Sequence, residues 1–203
     1  VQTDPEIHFH ELLPNAPIMQ LLDIYDNPQV LPKRLRRSDA DYVLMCEARD
    51  GHAYNSALEA TDMGTRRCKI TGHITHVEDI CYDVANKVRN AVGGDLNFLI
   101  SKVAKNFHYV FHMVQLRDRS QKRLKGIYEL RYDHLSCRIT IHNICKYDYL
   151  TDSWTFKYDI GEDKKEIAYE EDLEAFKIFD SELKRLSEKY PMQGEHVIVP
   201  LYS

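Results

Sequence analysis

The chain has 203 residues, of which 43% are hydrophobic and 29% charged, so it can bury a core as one globular domain or one domain with an appendage. A net charge of −5 argues against a general attraction to nucleic acid or anionic membranes, and no apolar run reaches the roughly 18 residues of a membrane-spanning helix. The five cysteines are odd in number and lack Cys-x-x-Cys spacing, which favours reduced thiols over a disulfide framework or zinc ribbon.

Strands and helices are predicted to alternate between residues 40 and 116. The segment VLPKRLRRSDAD predicts a short helix that begins near Pro32. The apolar run DYVLMCE is typical of a strand covered on both faces, HAYNSALEATDMG of a helix ended by Gly64, and CKITGHI of a second strand. Two helices, VEDICYDVANKVRNAV and LNFLISKVAKN, and the strand YVFHMVQL follow. This alternation predicts an α/β layer with a largely parallel sheet.

The rest of the chain has a different pattern. GIYELRYD, CRITIHNICKYDY and SWTFKYDIG predict successive strands joined by short turns, and hence an antiparallel extension. Residues 169–190 predict an amphipathic helix, with Pro191 just past its end. The apolar stripe of this helix comprises Leu173, Phe176, Phe179, Leu183 and Leu186.

The strand DYVLMCE ends in a cluster of charges formed by Glu47, Arg49 and Asp50. An apolar strand that ends in an acid is the arrangement of a Walker B segment in nucleotide hydrolases. Ligands of α/β folds bind at the carboxyl edge of the sheet, where a carboxylate can orient water or join the shell of Mg²⁺. Taken alone, the pattern also fits a surface acid at a strand end.

The residues around this strand give the chain a likeness to a known family. In chain order the matching positions are Arg37, Asp41, CEARD at 46–50, Ala57, Leu58, Ala60, Gly64, Thr71 and His73. With them the chain resembles the ATPase superfamily of type II and type IV secretion, pilus assembly and conjugation. VQLRDRSQKRLKGIYEL, with Arg117, Asp118, Arg123 and Glu129, resembles the strand–turn–strand that closes the motor core. The resemblance covers roughly residues 35–130.

The resemblance implies a fold, ligands and partners. It implies a partial RecA-like mixed sheet with flanking helices, followed by an antiparallel β extension and a C-terminal helix. Residues 1–132 would be the C-terminal portion of an ATPase core, and residues 133–203 a β-hairpin extension with the amphipathic helix. ATP and Mg²⁺ would bind the intact protein. That protein would be a hexamer on the cytoplasmic face of the inner membrane, contacting secretion or pilus platform proteins and not nucleic acid directly.

The resemblance also assigns roles to site residues. It implies that Glu47 activates or orients the attacking water near Mg²⁺, and that Arg49 holds Glu47 by a charge-assisted pair. His73, with Thr71, would report the state of the γ-phosphate. Asp4 and Glu6 in TDPEIHFHELLPN are candidates for the acidic box of the family. A slip of one or two residues would put Gln2 and Thr3 in those places instead.

The chain departs from the family at several positions. A phosphate-binding loop ends in Gly-Lys-Ser or Gly-Lys-Thr, and none of the eight glycines of this chain is followed by either pair. The chain alone is therefore not expected to hydrolyse ATP, and it is either the C-terminal half of a longer motor or a degenerate paralogue. Cys46 replaces the family's glycine, Thr65 replaces the first histidine of the histidine box, and RRCK at 66–69 replaces its glycines. Arg66 and Arg67 could meet a neighbouring subunit's nucleotide or be solvated, and we favour solvation.

Two other functions remain open from the sequence. One is a non-catalytic, ATPase-like scaffold domain. The other is a metal-dependent hydrolase built on His73, His76 and Asp79, which lie close together in HITHVED. A catalytic metal site takes about three protein ligands and an open position. No signature such as His-Glu-x-x-His supports the metal hypothesis, so scattered histidines are the favoured interpretation.

Overall fold

A computed structural model of the chain describes most residues, and they form two compact units. The described ranges are 8–19, 40–65, 67–194 and 197–199. One unit comprises the described residues of Val1–His76 and Ile80–Asn106, and the other those of Val77–Asp79 and Phe107–Ser203. The predicted helix near Pro32 lies outside the described residues. So do four other residues named above: Asp4, Glu6, Arg37 and Arg66.

The first unit contains a parallel strand pair with helices. Its elements are α1 (Phe9–Leu12), β1 (Tyr42–Ala48), α2 (Gly51–Asp62), β2 (Arg67–Gly72), α3 (Ile80–Val92) and α4 (Leu96–Asn106). β1 and β2 pair in parallel, and α2 connects them. Because parallel neighbours cannot be joined by a tight turn, such a helical crossover is expected. All the strands and helices predicted between residues 41 and 106 are confirmed.

Local sequence signals set the ends of α2. Asp50 caps its first turn, with its Oδ1 accepting a hydrogen bond from Ala53 N at 3.0 Å. Gly64 lies just past the other end with φ +91°, the left-handed conformation that glycine adopts without strain. Gly51 is buried, and a Cβ there would lie 2.0 Å from the Lys87 carbonyl oxygen, so α2 and α3 can pack this closely only around a glycine.

Apolar side chains from all three longer helices form the core of this unit. The fully buried members are Ala57, Leu58, Cys81, Ala85, Val88, Ile100 and Val103. Burial raises the pKa of the Cys81 thiol to about 12, so this thiol stays protonated and unreactive. All five cysteines of the chain are free in the structure.

The second unit is an antiparallel sheet with one long helix. Its elements are β3 (Tyr109–Gln115), β4 (Lys122–Asp133), β5 (Arg138–Asp148), β6 (Ser153–Phe156), α5 (Glu162–Lys189) and β7 (Val197–Val199). The strand order is β3-β4-β5-β6, and β7 pairs with β5 at Ile139–Ile141. Leu183 of α5 packs against Ile144 and Ile160 in the core of this unit. The predicted antiparallel extension and C-terminal helix are confirmed.

The helix α5 differs in detail from its prediction. It begins at Glu162, seven residues before the predicted start, and is interrupted at Asp172, where the backbone is extended (φ −160°, ψ 92°). The Oδ1 of Asp172 accepts a hydrogen bond from Ala175 N at 2.9 Å, so Asp172 caps the second part of the helix. Within the predicted stripe, Phe176 and Leu183 are buried, whereas Leu173 and Phe179 are exposed.

The prediction of one largely parallel sheet across residues 40–116 is wrong. Among the strands of the described residues, only β1 and β2 pair in parallel; β3 pairs with β4 as an antiparallel hairpin. An alternation of strands and helices cannot distinguish these arrangements, because the partner of β3 follows it in the chain.

The predicted division between residues 132 and 133 falls inside β4, whereas the compact units divide between Asn106 and Phe107. The chain is thus mixed α/β, with a parallel pair and a mostly antiparallel sheet.

No helix among residues 8–19, 40–65, 67–194 and 197–199 combines the length and the hydropathy needed to cross a membrane.

Candidate functional site

Glu47 lies at the carboxyl end of β1, where the pairing with β2 is irregular. Met45 pairs with Ile70 and Ala48 with Gly72, so Cys46 and Glu47 oppose the single residue Thr71. This is a β-bulge, and such bulges re-aim side chains beside functional sites. Glu47 itself has φ +58°, a left-handed conformation that is costly for a residue with a side chain. The chain thus holds Glu47 in a strained position at the sheet edge.

Three other residues surround Glu47 at this edge. The backbone amide of Glu47 donates to Thr71 Oγ1 at 2.6 Å. Arg49 Nη2 donates to Glu47 Oε2 at 2.7 Å, and His73 Nε2 lies 3.4 Å from Glu47 Oε1. Each carboxylate oxygen therefore has one nitrogen neighbour, and Thr71 anchors the backbone behind them.

The electrostatics of the cluster favour an ionised carboxylate. The hydrogen bond from Arg49 lowers the pKa of Glu47, outweighing the opposite effect of partial desolvation, and His73 adds to the lowering. The Glu47 side chain is 30% exposed and that of His73 87% exposed. A ligand or a water molecule can therefore reach the carboxylate from solvent.

A close contact beneath the cluster supports the end of β2. Tyr54 of α2 is buried, and a Cβ added to Gly72 would lie 2.1 Å from its hydroxyl oxygen. The Lys87 ammonium lies over the Tyr54 ring, 5.3 Å from its centre. Gly72 stands between Thr71 and His73 in the chain, so Tyr54 supports the segment that carries both. This contact cannot be predicted from the sequence, because nothing in the spacing of Tyr54 and Gly72 indicates it.

Of the six site residues predicted from the sequence, the structure brings four together: Glu47, Arg49, Thr71 and His73. The other two, Asp4 and Glu6, lie outside the described residues. Asp50, the last charge of the predicted cluster, instead caps α2, where its Oδ1 accepts a hydrogen bond from Ala53 N.

Arg67 occupies the opposite end of the strand pair. Its guanidinium donates a hydrogen bond to the Tyr42 hydroxyl and lies 4.9 Å from the centre of the Tyr42 ring. Tyr42 and Arg67 form the first register pair of β1 and β2. Arg67 thus lies at the amino-terminal end of the strand pair, at the opposite end from Glu47. Its side chain contacts Tyr42 and is not purely solvated, as we had expected it to be.

The metal hypothesis requires several His, Cys, Asp or Glu side chains that converge on one ion. Among the residues that the structure describes, no group of three His, Cys, Asp or Glu side chains is placed to hold a metal ion. His73, His76 and Asp79 are all among the described residues.

Glu129, another residue of the family likeness, lies in a buried network of the second unit. Its side chain is fully buried, and its Oε1 accepts hydrogen bonds from Arg131 Nε at 2.5 Å and Gly161 N at 2.9 Å. The Tyr109 hydroxyl donates to Oε2 at 3.1 Å, and Arg131 also donates to Asp159 Oδ1 at 2.9 Å. With its oxygens bonded on three sides, Glu129 joins the sheet to the start of α5.

Comparison with models of known protein families gives no match, and no curated protein matches the chain.

Proposed function

We propose that the chain is the C-terminal motor portion of a secretion, conjugation or pilus-assembly ATPase with a RecA-like core. The observation that carries the proposal is the meeting of Arg49, Thr71 and His73 around Glu47 at the carboxyl edge of the parallel pair. Thr71 and His73 are 24 and 26 positions from Glu47 in the chain, and sequence resemblance alone selected them. Such an edge is where α/β folds bind and transform ligands.

The chemistry of the cluster fits the hydrolytic half of such a site. An ionised, accessible Glu47 can accept a proton from water or orient it for attack. Arg49 holds one carboxylate oxygen, and Thr71 fixes the backbone of the bulge. His73 lies beside the other oxygen and is attached to β2, so a change at the ligand can be passed to the strand.

The phosphate-binding half of the site does not come from this sequence. No Gly-x-x-x-x-Gly-Lys-Ser/Thr segment occurs in the 203 residues, and that loop supplies the backbone N–H groups that cradle phosphates. Mg²⁺, when bound with ATP, would neutralise charge on the phosphates. The proposal therefore assigns ATP binding to a segment outside these residues. Hexamer formation, membrane-platform partners and a place at the inner membrane face belong to the same proposal.

A non-catalytic scaffold domain is the second candidate. It is favoured by Thr65 in place of the first histidine of the histidine box and by the charged RRCK in place of its glycines. In that case the Glu47 cluster would be retained only as a structural contact between β1 and β2.

One experiment separates the two candidates. The complete reading frame that encodes the chain is sequenced and expressed, and its ATP turnover is compared with that of the isolated 203 residues. The motor proposal predicts a phosphate-binding loop upstream, turnover by the complete protein and none by the isolated chain. A complete protein without the loop and without turnover would leave the scaffold as the function.

A further inference from the structure

The helix α5 leaves part of its apolar face uncovered. Tyr169, Leu173 and Phe179 are 47%, 43% and 48% exposed. Phe176 lies between them and is buried; its ring meets that of Tyr169 edge-on at 5.0 Å and that of Phe179 at 6.0 Å. The aromatic contacts continue across the interruption at Asp172. These four side chains, which we call the α5 face, therefore form one continuous apolar strip.

The rest of the same unit contacts α5 at its start, where Gly161 N donates to Glu129 and Lys165 lies over the Tyr158 ring, and again beyond the α5 face. Leu183 packs into the core with Ile144 and Ile160, and the Tyr158 hydroxyl donates to Asp180 Oδ1 at 2.5 Å. Lys184, one turn on, pairs with Asp180 at 2.7 Å. The C-terminal half of α5 is thus fixed on the sheet, whereas the α5 face lies mostly before these contacts. An apolar strip of this kind on a polar helix is typical of an interaction site.

The segment of α5 that carries Tyr169 and Leu173 is acidic, and the lysines just before it, Lys164 and Lys165, pair with Asp163 and Glu162. Residues 166–174 read EIAYEEDLE, with five carboxylates and no Lys, Arg or His, a formal charge of −5. All five acidic residues are exposed. The net charge of the whole chain is also −5, so the positive and negative charges of all the other residues cancel. The nearest following cation on the helix, Lys177, pairs with Glu174 at 2.8 Å.

We propose that the α5 face and its carboxylates bind a basic amphipathic helix of another protein. Apolar anchors at helical spacing on the partner would cover Tyr169, Leu173 and Phe179, and flanking Lys or Arg would meet the acidic residues. A second copy of this chain fits poorly, because pairing the same faces would bring two segments of charge −5 together. This inference depends on α5 alone and stands whether or not the chain belongs to an ATPase.

The test uses the 203-residue chain and a labelled 14-residue synthetic peptide of Leu and Lys with the leucines at helical spacing. A matched peptide carries Glu in place of each Lys. Binding is measured by fluorescence anisotropy at low and high salt. We expect the Lys peptide to bind, more weakly as salt rises, and the Glu peptide not to bind. Equal binding of both peptides would overturn the proposal.

Variants locate the binding on the helix. Leu173→Ser is expected to weaken binding of the Lys peptide about tenfold. Ile178→Ser is the matched control, because Ile178 is 71% exposed on the same helix but lies outside the α5 face, and it should leave binding within about twofold. Equal effects of the two substitutions would place binding elsewhere and contradict the proposal.

Charge reversal gives a second, independent measurement. Glu166→Lys with Glu170→Lys changes only exposed side chains, so it keeps the test valid if Leu173→Ser loses helical circular dichroism. The double variant should lose binding of the Lys peptide about tenfold and gain binding of the Glu peptide. Unchanged preference would overturn the proposal. Self-association of the chain that Leu173→Ser abolishes would make a second copy the occupant and would also overturn it.

Discussion

The backbone amide of Glu47 donates a hydrogen bond to the Thr71 hydroxyl at 2.6 Å, across the carboxyl ends of two parallel strands. Thr71 is the single residue of β2 that faces the bulge of β1. The bond therefore holds the extra residue where the regular ladder is interrupted. The position of the Glu47 carboxylate depends on this backbone arrangement as well as on its contacts with Arg49 and His73.

The positive φ of Glu47 predicts an unusual order of stability among its variants. Glu47→Gly and Glu47→Ala both remove the carboxylate, but only glycine adopts φ +58° without strain. We expect the glycine variant to melt about 5 °C above the alanine variant, as followed by circular dichroism. At Glu59, inside the helix α2, the order should reverse, because alanine is the better helix former. The same order at both positions would contradict the strained conformation.

The lowered pKa of Glu47 predicts a defined response to acid. Because its folded-state pKa lies below the usual 4.5, the ionised form is favoured by folding. Its contribution to stability is fully present above about pH 4.5 and is lost as the pH falls through the lower folded value. Carboxyl ¹³C NMR titration should show the lowered pKa, and Arg49→Gln should raise it.

Arg185→Gln, which breaks the pair with Glu182 in the second unit, serves as the control and should leave the Glu47 titration unchanged. If Arg49→Gln has no more effect on the pKa of Glu47 than Arg185→Gln has, the hydrogen bond from Arg49 is not its cause.

The contact between Gly72 and Tyr54 predicts a coupled pair of substitutions. Gly72→Ala would place a methyl group 2.1 Å from the Tyr54 hydroxyl oxygen, and the buried ring has little room to move. We expect a loss of about 2 kcal/mol in the free energy of unfolding, measured with urea. Tyr54→Phe removes the oxygen, so the double variant should recover part of this loss. If the two substitutions change the free energy of unfolding by purely additive amounts, the contact between Gly72 and Tyr54 is excluded.

The burial of Glu129 predicts that its neutral analogue destabilises the second unit. Glu129→Gln removes one of the two carboxylates that pair with Arg131, the fully buried one, and should cost about 3 kcal/mol in the free energy of unfolding. Glu162→Gln removes an exposed partner of Lys165 and should cost about 0.5 kcal/mol or less. Urea denaturation measures both, and similar costs would show that the network contributes little.

The sequence predicted most elements because their signals are local. The Asp50 cap, the glycine after α2 and the apolar run of β1 each lie within a few residues of what they determine. Sheet membership is not local: β3 has the apolar pattern of a covered strand, yet it pairs with β4 in an antiparallel hairpin. The strand with which β3 pairs determines the sheet to which it belongs, and this partner cannot be identified from composition.

The candidate site was predictable as a set of residues but not as a geometry. Resemblance selected Glu47, Arg49, Thr71 and His73, and the structure brings them together. The bulge, the positive φ of Glu47 and the support from Tyr54 have no counterpart in the sequence pattern, because each depends on the relative position of separate elements.

The most direct test of the proposed function is the ATP turnover of Glu47→Gln in the protein encoded by the complete reading frame. The amide is close in size to the carboxylate but cannot take a proton from water. We predict a kcat at least about 100-fold lower with nucleotide binding retained, and near-normal turnover for Glu59→Gln in the neighbouring helix. Turnover by Glu47→Gln equal to that of Glu59→Gln would contradict the account.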